Sequence, residues 1–306
     1  MKKILFVLTT LFISIFAFSK DKVTITYVKS PLNVPSIVEK EKGIFKSNFE
    51  KISFEVDYSD LTTGPEQTNA LASGDIKFLN AVGATSAILA SSNGSDIKII
   101  DVYSRSPKAF TLFSKDKNIK SPSDLKGKKI AGPKGTILHE LLIAYLAKDG
   151  LKESDVEFIQ MGLPNARAAL VGGSVDLALL AGPVAYTTIK DGYNIVTTGE
   201  GLVDATIVTA TSARYYKSNP EAVEKFIDAR KETLEYIKNN YEEIIAITAK
   251  ETDLPIDAVK EMYEMYDFDN TIKESDIDSM KKTTKFMIDN KMIEKDVDIQ
   301  ALILKK

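Results

Sequence analysis

Cysteine is absent from this 306-residue chain, and histidine occurs once, at His139. Without cysteine there is no disulfide framework. With a single imidazole left, a soft or borderline metal would have to be held by carboxylates alone. Neither a metal nor another cofactor is therefore expected. No serine sits in a Gly-x-Ser-x-Gly elbow, so the strand-to-helix nucleophile turn of hydrolases is missing. No basic run follows the N-terminus and the net charge is -3, which argues against a nucleic-acid partner. Apolar runs are also short of the roughly twenty residues that span a bilayer.

The longest apolar run is residues 4–18, preceded by Lys2 and Lys3 and followed by Ala17-Phe18-Ser19 with small residues where a signal peptidase reads. This is the pattern of a secretory signal, with cleavage expected after Ser19. Loss of Lys2 and Lys3 takes the net charge from -3 to -5. No cysteine follows the signal to carry a lipid, so a free periplasmic protein is expected. With 44% hydrophobic and 27% charged residues, the remainder has the material for two α/β lobes.

The pattern after the signal is a succession of strands and helices. Val23, Ile25 and Tyr27 alternate with Thr24 and Thr26 as a half-buried strand. A helix follows up to Lys42 with Gly43 as its stop, and Ile52, Phe54 and Val56 alternate as a second strand. Leu61-Thr62-Thr63-Gly64-Pro65 opens another helix, with Pro65 in its first turn. Residues 76–82 and 97–102 read as two more strands. After Arg105 and Pro107 a second unit begins, and it contains three strand-to-helix junctions within about sixty residues. They are Gly132-Pro133-Lys134-Gly135-Thr136, Gly162-Leu163-Pro164-Asn165 and Gly182-Pro183. Helix starts that follow strands carry unpaired N–H groups and the positive end of the helix dipole, so they suit an anion. The second unit is expected to run on through the apolar residues 205–210. Beyond Asn219-Pro220 the chain reads as amphipathic helices, with Phe226, Ile227, Leu234 and Ile237 as one buried stripe.

An internal echo links the two units. Ala70-Leu71-Ala72-Ser73-Gly74-Asp75, a strand and Gly83 match Ala169-Leu170-Val171-Gly172-Gly173, Asp176, a strand and Gly182. Two similar lobes joined by extended crossings near 104–108 and 209–214 would face each other across a cleft.

Three groups of residues carry a family resemblance: Leu61 to Pro65 with Asn69-Ala70-Leu71 and Gly74-Asp75; Ser121-Pro122-Ser123-Asp124-Leu125-Lys126-Gly127-Lys128-Lys129-Ile130-Ala131 with Lys134-Gly135-Thr136 and His139; and Asn165-Ala166-Arg167-Ala168-Ala169-Leu170 with 173–176. In this order they resemble the substrate-binding proteins of ABC importers for aliphatic sulfonates, nitrate and taurine. The resemblance implies an α/β, two-lobed type II periplasmic-binding-protein fold with a helical C-terminal region. It also implies a monomeric, non-enzymatic receptor that hands its ligand to an ABC permease. Residues 20–105 with 214–306 would form the first lobe and 106–213 the second. Ligand contacts carried over by position are Ser30, Pro31, Leu32, Thr62, Thr63, Gly64, Gly83, Ala84, Gly135, Thr136, His139, Gly182 and Pro183. The chain departs from the family pattern at Gly182, where sulfonate-binding members often carry an acidic or aromatic residue. A nitrogenous heterocycle such as a thiamine precursor is the alternative ligand. Stacked aromatics in the cleft would favour it, and convergent N–H groups and hydroxyls would favour the anion. A related branch makes the thiamine pyrimidine with a Cys-rich motif, which this chain lacks.

Several of these residues have plainer roles open to them. Lys134 precedes the last glycine of its turn, so 132–135 lacks phosphate-loop spacing. Thr62 and Thr63 can cap the following helix and still face a ligand. Arg105 and Asp204, near the crossings, could reach the ligand or make surface pairs.

Overall fold

Strand β1 (Asp21–Thr26) buries Val23 and Ile25 and leaves Thr24 partly exposed, but Thr26, expected on the polar face, is fully buried, its hydroxyl accepting from Asn80 N (2.7 Å). A computed structural model describes residues 21–305, and the expected signal segment at 1–19 lies outside the described residues. After β1 come α1 (Val34–Glu41), α2 (Ile44–Glu50) and β2 (Phe54–Ser59). The short α2 lies between Gly43 and Ile52, where the sequence pattern offers no separate helix. Next are α3 (Gly64–Ser73), β3 (Leu79–Gly83), α4 (Ala84–Ser92) and β4 (Ile97–Arg105). The second unit contains β5 (Phe110–Ser114), β6 (Lys129–Gly132), α5 (Ile137–Ala147), β7 (Glu157–Gln160), α6 (Leu163–Gly172), β8 (Leu177–Ala181), α7 (Gly182–Lys190) and β9 (Asn194–Thr198). The chain ends with β10 (Thr206–Ser212), α8 (Ala213–Ser218), α9 (Pro220–Asn239), α10 (Tyr241–Thr252), α11 (Ile256–Tyr263), α12 (Glu274–Asp289) and α13 (Ile299–Leu302).

The strands form two sheets of the same design. In the second, the order is β7-β6-β8-β5-β9, with β5 antiparallel to both neighbours. In the first, β10 lies between β3 and β4, antiparallel to both. The parallel pair β1-β2 joins that sheet where Thr26 N donates to Phe78 O (3.0 Å) and Lys77 N to Thr24 O (2.9 Å). The full order is then β2-β1-β3-β10-β4. Each antiparallel strand is the first one the chain makes after crossing from the other sheet. The apolar run at 205–210 therefore joins the first sheet, not the second. Its uniform burial suits a central strand of either sheet, so the hydrophobic pattern could not choose between them.

The echo occupies equivalent places, α3–β3–α4 in one lobe and α6–β8–α7 in the other. Both first helices stop at a left-handed glycine, Gly74 (φ 86°) and Gly173 (φ 75°), the conformation glycine adopts without a Cβ penalty.

Helix α9 packs the C-terminal region onto the first sheet. Phe226 stacks on Phe78 (4.4 Å between centroids) and on Phe45 (5.0 Å), while Leu234 is only half-buried. One turn beyond, Arg230 is fully buried. It donates to Glu39 of α1 (3.0 Å), lies 3.6 Å from the Asp101 carboxylate of β4, and covers the Tyr103 ring at 4.7 Å. Asn80 donates to the second Glu39 oxygen (2.5 Å). Burial pushes the Glu39 carboxyl above its ordinary range against the pull of Arg230. Breaking such a buried pair costs about 3–5 kcal/mol, so this cluster pins α9 to α1 and β4. Arg105, for which the sequence leaves a ligand contact and a surface pair both open, grips the buried Asp276 with two bonds of 2.6 Å and holds the 267–276 segment through Asp269 O and Thr271 O.

Candidate ligand-binding cleft

Six strand-to-helix junctions, three from each lobe, meet around one cavity of about 260 Å³. The first lobe supplies Val28, Ser30, Pro31 and Asn33 after β1, Thr62, Thr63, Gly64 and Gln67 after β2, and Ala81, Gly83 and Ser86 around the end of β3. The second supplies Pro133, Thr136, Ile137 and Leu138 after β6, Gly162, Leu163 and Pro164 after β7, and Ala181 and Val184 around the end of β8. Phe110 and Ile207, each near the start of a strand that follows a crossing, complete the wall. In an open α/β sheet these carboxyl ends of strands are where ligands sit. A larger groove of about 940 Å³ between 91–98 and 291–302 lies on the first lobe, away from these junctions, and is lined by side chains of both signs.

Local sequence explains the wall. Thr63 caps α3 through a reciprocal box with Glu66: its hydroxyl accepts from Glu66 N (3.4 Å) and its own N–H donates to Glu66 Oε2 (3.2 Å). Gly64 lets α3 approach α4, since a Cβ there would lie 2.2 Å from Ser86 Oγ. Ala81 takes a left-handed φ of 85° where the β3–β10 register slips by one residue, a bulge of the kind that re-aims a strand beside a site. The Ser30–Pro31 peptide is cis.

The electrostatics of the cavity come from the backbone. Among the described residues no charged side chain lines it. What converges instead are helix starts: Asn33, Gly83 and Ala181 are the N-caps of α1, α4 and α7, and Gly64, Ile137 and Leu163 open α3, α5 and α6. Only α3 of these six has a side-chain cap bond among the described residues. In α1 the first-turn N–H groups are taken, Val34 N by Leu32 O (3.0 Å) and Ser36 N by Tyr103 Oη (3.0 Å), whereas those of α4 and α5, and those that α6 and α7 have beside their first-turn prolines, are left for solvent or a ligand. Together with the aligned dipoles they make the cavity electropositive without a cation. The hydroxyls of Ser30 and Thr62 make no hydrogen bond among the described residues, whereas those of Ser86 and Thr136 donate to Gly135 O and Pro133 O (both 2.8 Å).

Of the thirteen residues carried over by resemblance, the structure brings Ser30, Pro31, Thr62, Thr63, Gly64, Gly83 and Thr136 to the cavity. The others stand outside its lining. Leu32 is fully buried in the main core, and Ala84 packs in the core beneath α4. Gly135 turns its N–H to His139 Nδ1 (3.3 Å) and its carbonyl to Ser86. His139 is 2% exposed, lies against the Phe158 ring, and has Glu153 on its other nitrogen (3.1 Å). Burial pushes its pKa below the usual imidazole range, with Glu153 opposing. Pro183 lies in the first turn of α7 without reaching the cavity wall. Gly182 is pressed on the other lobe: a Cβ there would sit 1.8 Å from Pro31 O. That contact explains why this chain has no larger residue before the proline.

Gln67, Ser86, Phe110 and the 162–164 turn complete the wall but were not among the expected contacts. Gln67 and Ser86 each lie three residues after a turn glycine, Gly64 and Gly83, and this spacing puts them on the same helical face as the turn. That signal is present in the sequence. For Phe110 and Ile207 the only signal is their place just after a crossing.

With this geometry, the chain can be set beside known proteins. A Bacillus subtilis (strain 168) protein named as an aliphatic sulfonates-binding protein is 28% identical over 273 residues, covering 88% of this chain and 82% of its own length. The taurine-binding periplasmic protein of Escherichia coli (strain K12) is 33% identical over 137 residues, covering 45% of this chain and 42% of its own. The solved structure of the alkanesulfonate-binding protein SsuA from Xanthomonas axonopodis pv. citri, bound to MOPS, superposes with a TM-score of 0.83 at 23% identity, over 92% of this chain and 98% of that one. The architecture is thus the α/β, two-lobed type II periplasmic-binding-protein fold with a helical C-terminal region. The description NMT1/THI5 like matches residues 31–244, a stretch holding every lining residue except Val28 and Ser30; the chain belongs to the NMT1/THI5-like family.

Proposed function

We propose that the protein is a periplasmic solute receptor that closes its two lobes on a small anion, an organic sulfonate, and delivers it to an ABC permease in the inner membrane. The observation that carries this reading is the meeting of six helix starts around a cavity with no lining charge. A sulfonate spreads one negative charge over three oxygens, so it is served better by N–H donors from several directions than by one cation. Its carbon chain suits Val28, Phe110, Leu163 and Val184. A heterocycle would call for stacked rings, and Phe110 is the lone aromatic of the described lining. The names carried by the Bacillus and Xanthomonas proteins agree with the sulfonate reading.

In this reading the ligand is held by Ser30, Thr62, Thr63 and Thr136 and by the backbone at Gly64 and Gly83, with Gln67 and Ser86 added. The first lobe is residues 21–105 with 206–305, and the second is 106–205. The receptor works as a monomer after export by the N-terminal signal, and it performs no chemistry, its one imidazole being engaged on both nitrogens.

A thermal-shift screen tests this. A ligand at a hundred times its Kd stabilises the native state by about 2.7 kcal/mol, a shift of several degrees for a chain of this size. Stabilisation is expected from taurine, ethanesulfonate or MOPS. Stabilisation by aminopyrimidines and by none of these anions would overturn the ligand, and turnover of any stabilising compound would overturn the non-catalytic reading.

A further inference from the structure

The first turn of α5 touches the cavity through Ile137 and Leu138, and the next two residues do something else. His139 Nδ1 accepts from Gly135 N (3.3 Å), and the Gly135 carbonyl accepts from Ser86 Oγ of the other lobe (2.8 Å). Glu140 is 7% exposed. One of its oxygens accepts from Thr85 of α4 (2.5 Å) and the other from Thr283 of α12 (2.9 Å). A single turn of the second lobe thus makes hydrogen bonds to two separate helices of the first. Neither His139 nor Glu140 lines the cavity.

We propose that this turn is the clasp that holds the cleft closed, with Glu140 as its cross-lobe bond and His139 as the residue that positions Gly135 for Ser86. The proposal rests on the two-lobed receptor reading above and adds residues that would set the open–closed balance without touching the ligand. Because Gly135 N donates to Nδ1, the imidazole proton resides on Nε2 and goes to Glu153. Protonation of Nδ1 would set two donors against each other and release the Gly135 turn. The charged groups facing His139 are Glu153 and Lys134, and the one facing Glu140 is Asp204. Glu140 has hydroxyl donors in place of a cation, and burial raises its pKa. Opening would hydrate this carboxylate, so the clasp is a contact made in the closed form alone.

The absence of cysteine makes the test direct. Dyes at Glu50→Cys and Lys126→Cys, one exposed position on each lobe, report the distance between lobes in the ligand-free chain. Glu140→Ala is expected to lower the closed-to-open ratio about tenfold. Glu140→Gln, which keeps an acceptor and a donor for the two threonines, is expected to retain the ratio within threefold. Protonation of His139 should lower the wild-type ratio once the pH drops below the usual imidazole range. In His139→Asn, whose amide oxygen replaces Nδ1 as acceptor, that fall should vanish, leaving only the opposite drift from Glu140, whose burial favours the closed form as the pH drops. Equal distributions in wild type and Glu140→Ala, or a pH response unchanged in His139→Asn, overturn the clasp. Titration of the wild type with taurine and MOPS is read separately: no binding of either counts against the sulfonate ligand, while the ligand-free distances still decide the clasp. If both bind, Glu140→Ala should weaken both by the same factor, because the residue lies outside the cavity. A changed preference between them would make Glu140 a ligand contact and overturn its assignment.

Discussion

Gly182 offers the sharpest separation between folding and closing. It opens α7 with φ +63°, and a Cβ at that position would lie 1.8 Å from Pro31 O, 2.5 Å from Pro31 C and 2.6 Å from Pro31 Cα. Two costs would follow from Gly182→Ala. The left-handed backbone costs an L-residue about 1–2 kcal/mol, and this acts within the second lobe whether the cleft is open or closed. The overlap is with the backbone of the first lobe, which cannot rotate away as a side chain can, and overpacking of this sort costs about 1–3 kcal/mol. That second cost falls on the closed form alone. At its upper end it lowers apparent affinity by about two orders of magnitude, at roughly 1.4 kcal/mol per tenfold. Gly74→Ala supplies the control, since Gly74 has φ +86° with nothing within 4 Å of the added Cβ. Calorimetric titration with a sulfonate that stabilises the wild type should find Gly74→Ala less stable to heat but unaltered in affinity. Gly182→Ala should lose both. An affinity for Gly182→Ala within threefold of the control would show that the lobes do not close on this contact.

Thr63→Ala should lower stability by about 1 kcal/mol through loss of the α3 cap and weaken ligand binding, whereas Thr63→Ser should keep the cap; urea melts with parallel titrations separate the two effects, and unchanged affinity in Thr63→Ala would remove the hydroxyl from the site. Arg230→Met leaves Glu39 without its cation inside the core, and a loss of about 3–5 kcal/mol in urea unfolding is expected, with less than 1 kcal/mol showing that the cluster does not pin α9. Although burial alone would raise it, the Asp276 carboxyl is held below the ordinary aspartate range by its bonds to Arg105 and Lys273 N–H. Its stabilisation is therefore present above the unfolded aspartate pKa and lost as the pH falls through the lowered folded value. Asp276→Asn should be less stable at neutral pH and show a flatter acid limb, and an unchanged slope between pH 5 and 2 would refute that assignment.

Much of the fold is legible in the sequence because its punctuation is local. Gly74 and Gly173 end helices by a backbone conformation that glycine alone takes freely, and the apolar strands that follow them are short and bounded. Sheet membership is not local. The run at 205–210 has the same apolar character as the strands on either side, and only the hydrogen bonds of Thr206 through Ser212 to β3 and β4 place it in the first sheet. The Arg230–Glu39–Asp101 cluster is hidden for a related reason. Its members are 191 and 129 residues apart, and each alone reads as an ordinary surface charge on an amphipathic element.

The candidate site divides along the same line. Thr62, Thr63, Gly64, Gly83 and Thr136, read from sequence as ligand contacts, line the cavity because a turn before a helix both caps and exposes N–H groups, and those two roles do not compete. His139 and Gly135, read by the same reasoning, lie off the cavity wall, since a place at or just before a helix start does not say which side of the helix a residue occupies. Positions 137 and 138 face the cavity, and 139 and 140, one or two residues on, are rotated by about 100° per residue toward Glu153 and the other lobe. Proximity in sequence to an anion-binding turn therefore identifies the turn, while the direction of each side chain is decided by what packs behind it. Behind His139 lie Phe158 and Glu153, and behind Glu140 lie Thr85 and Thr283. Phe158 and Glu153 belong to the same unit as α5, so it is the two threonines, from α4 and α12, that turn a helix start that could have been only a ligand contact into a contact with the other unit.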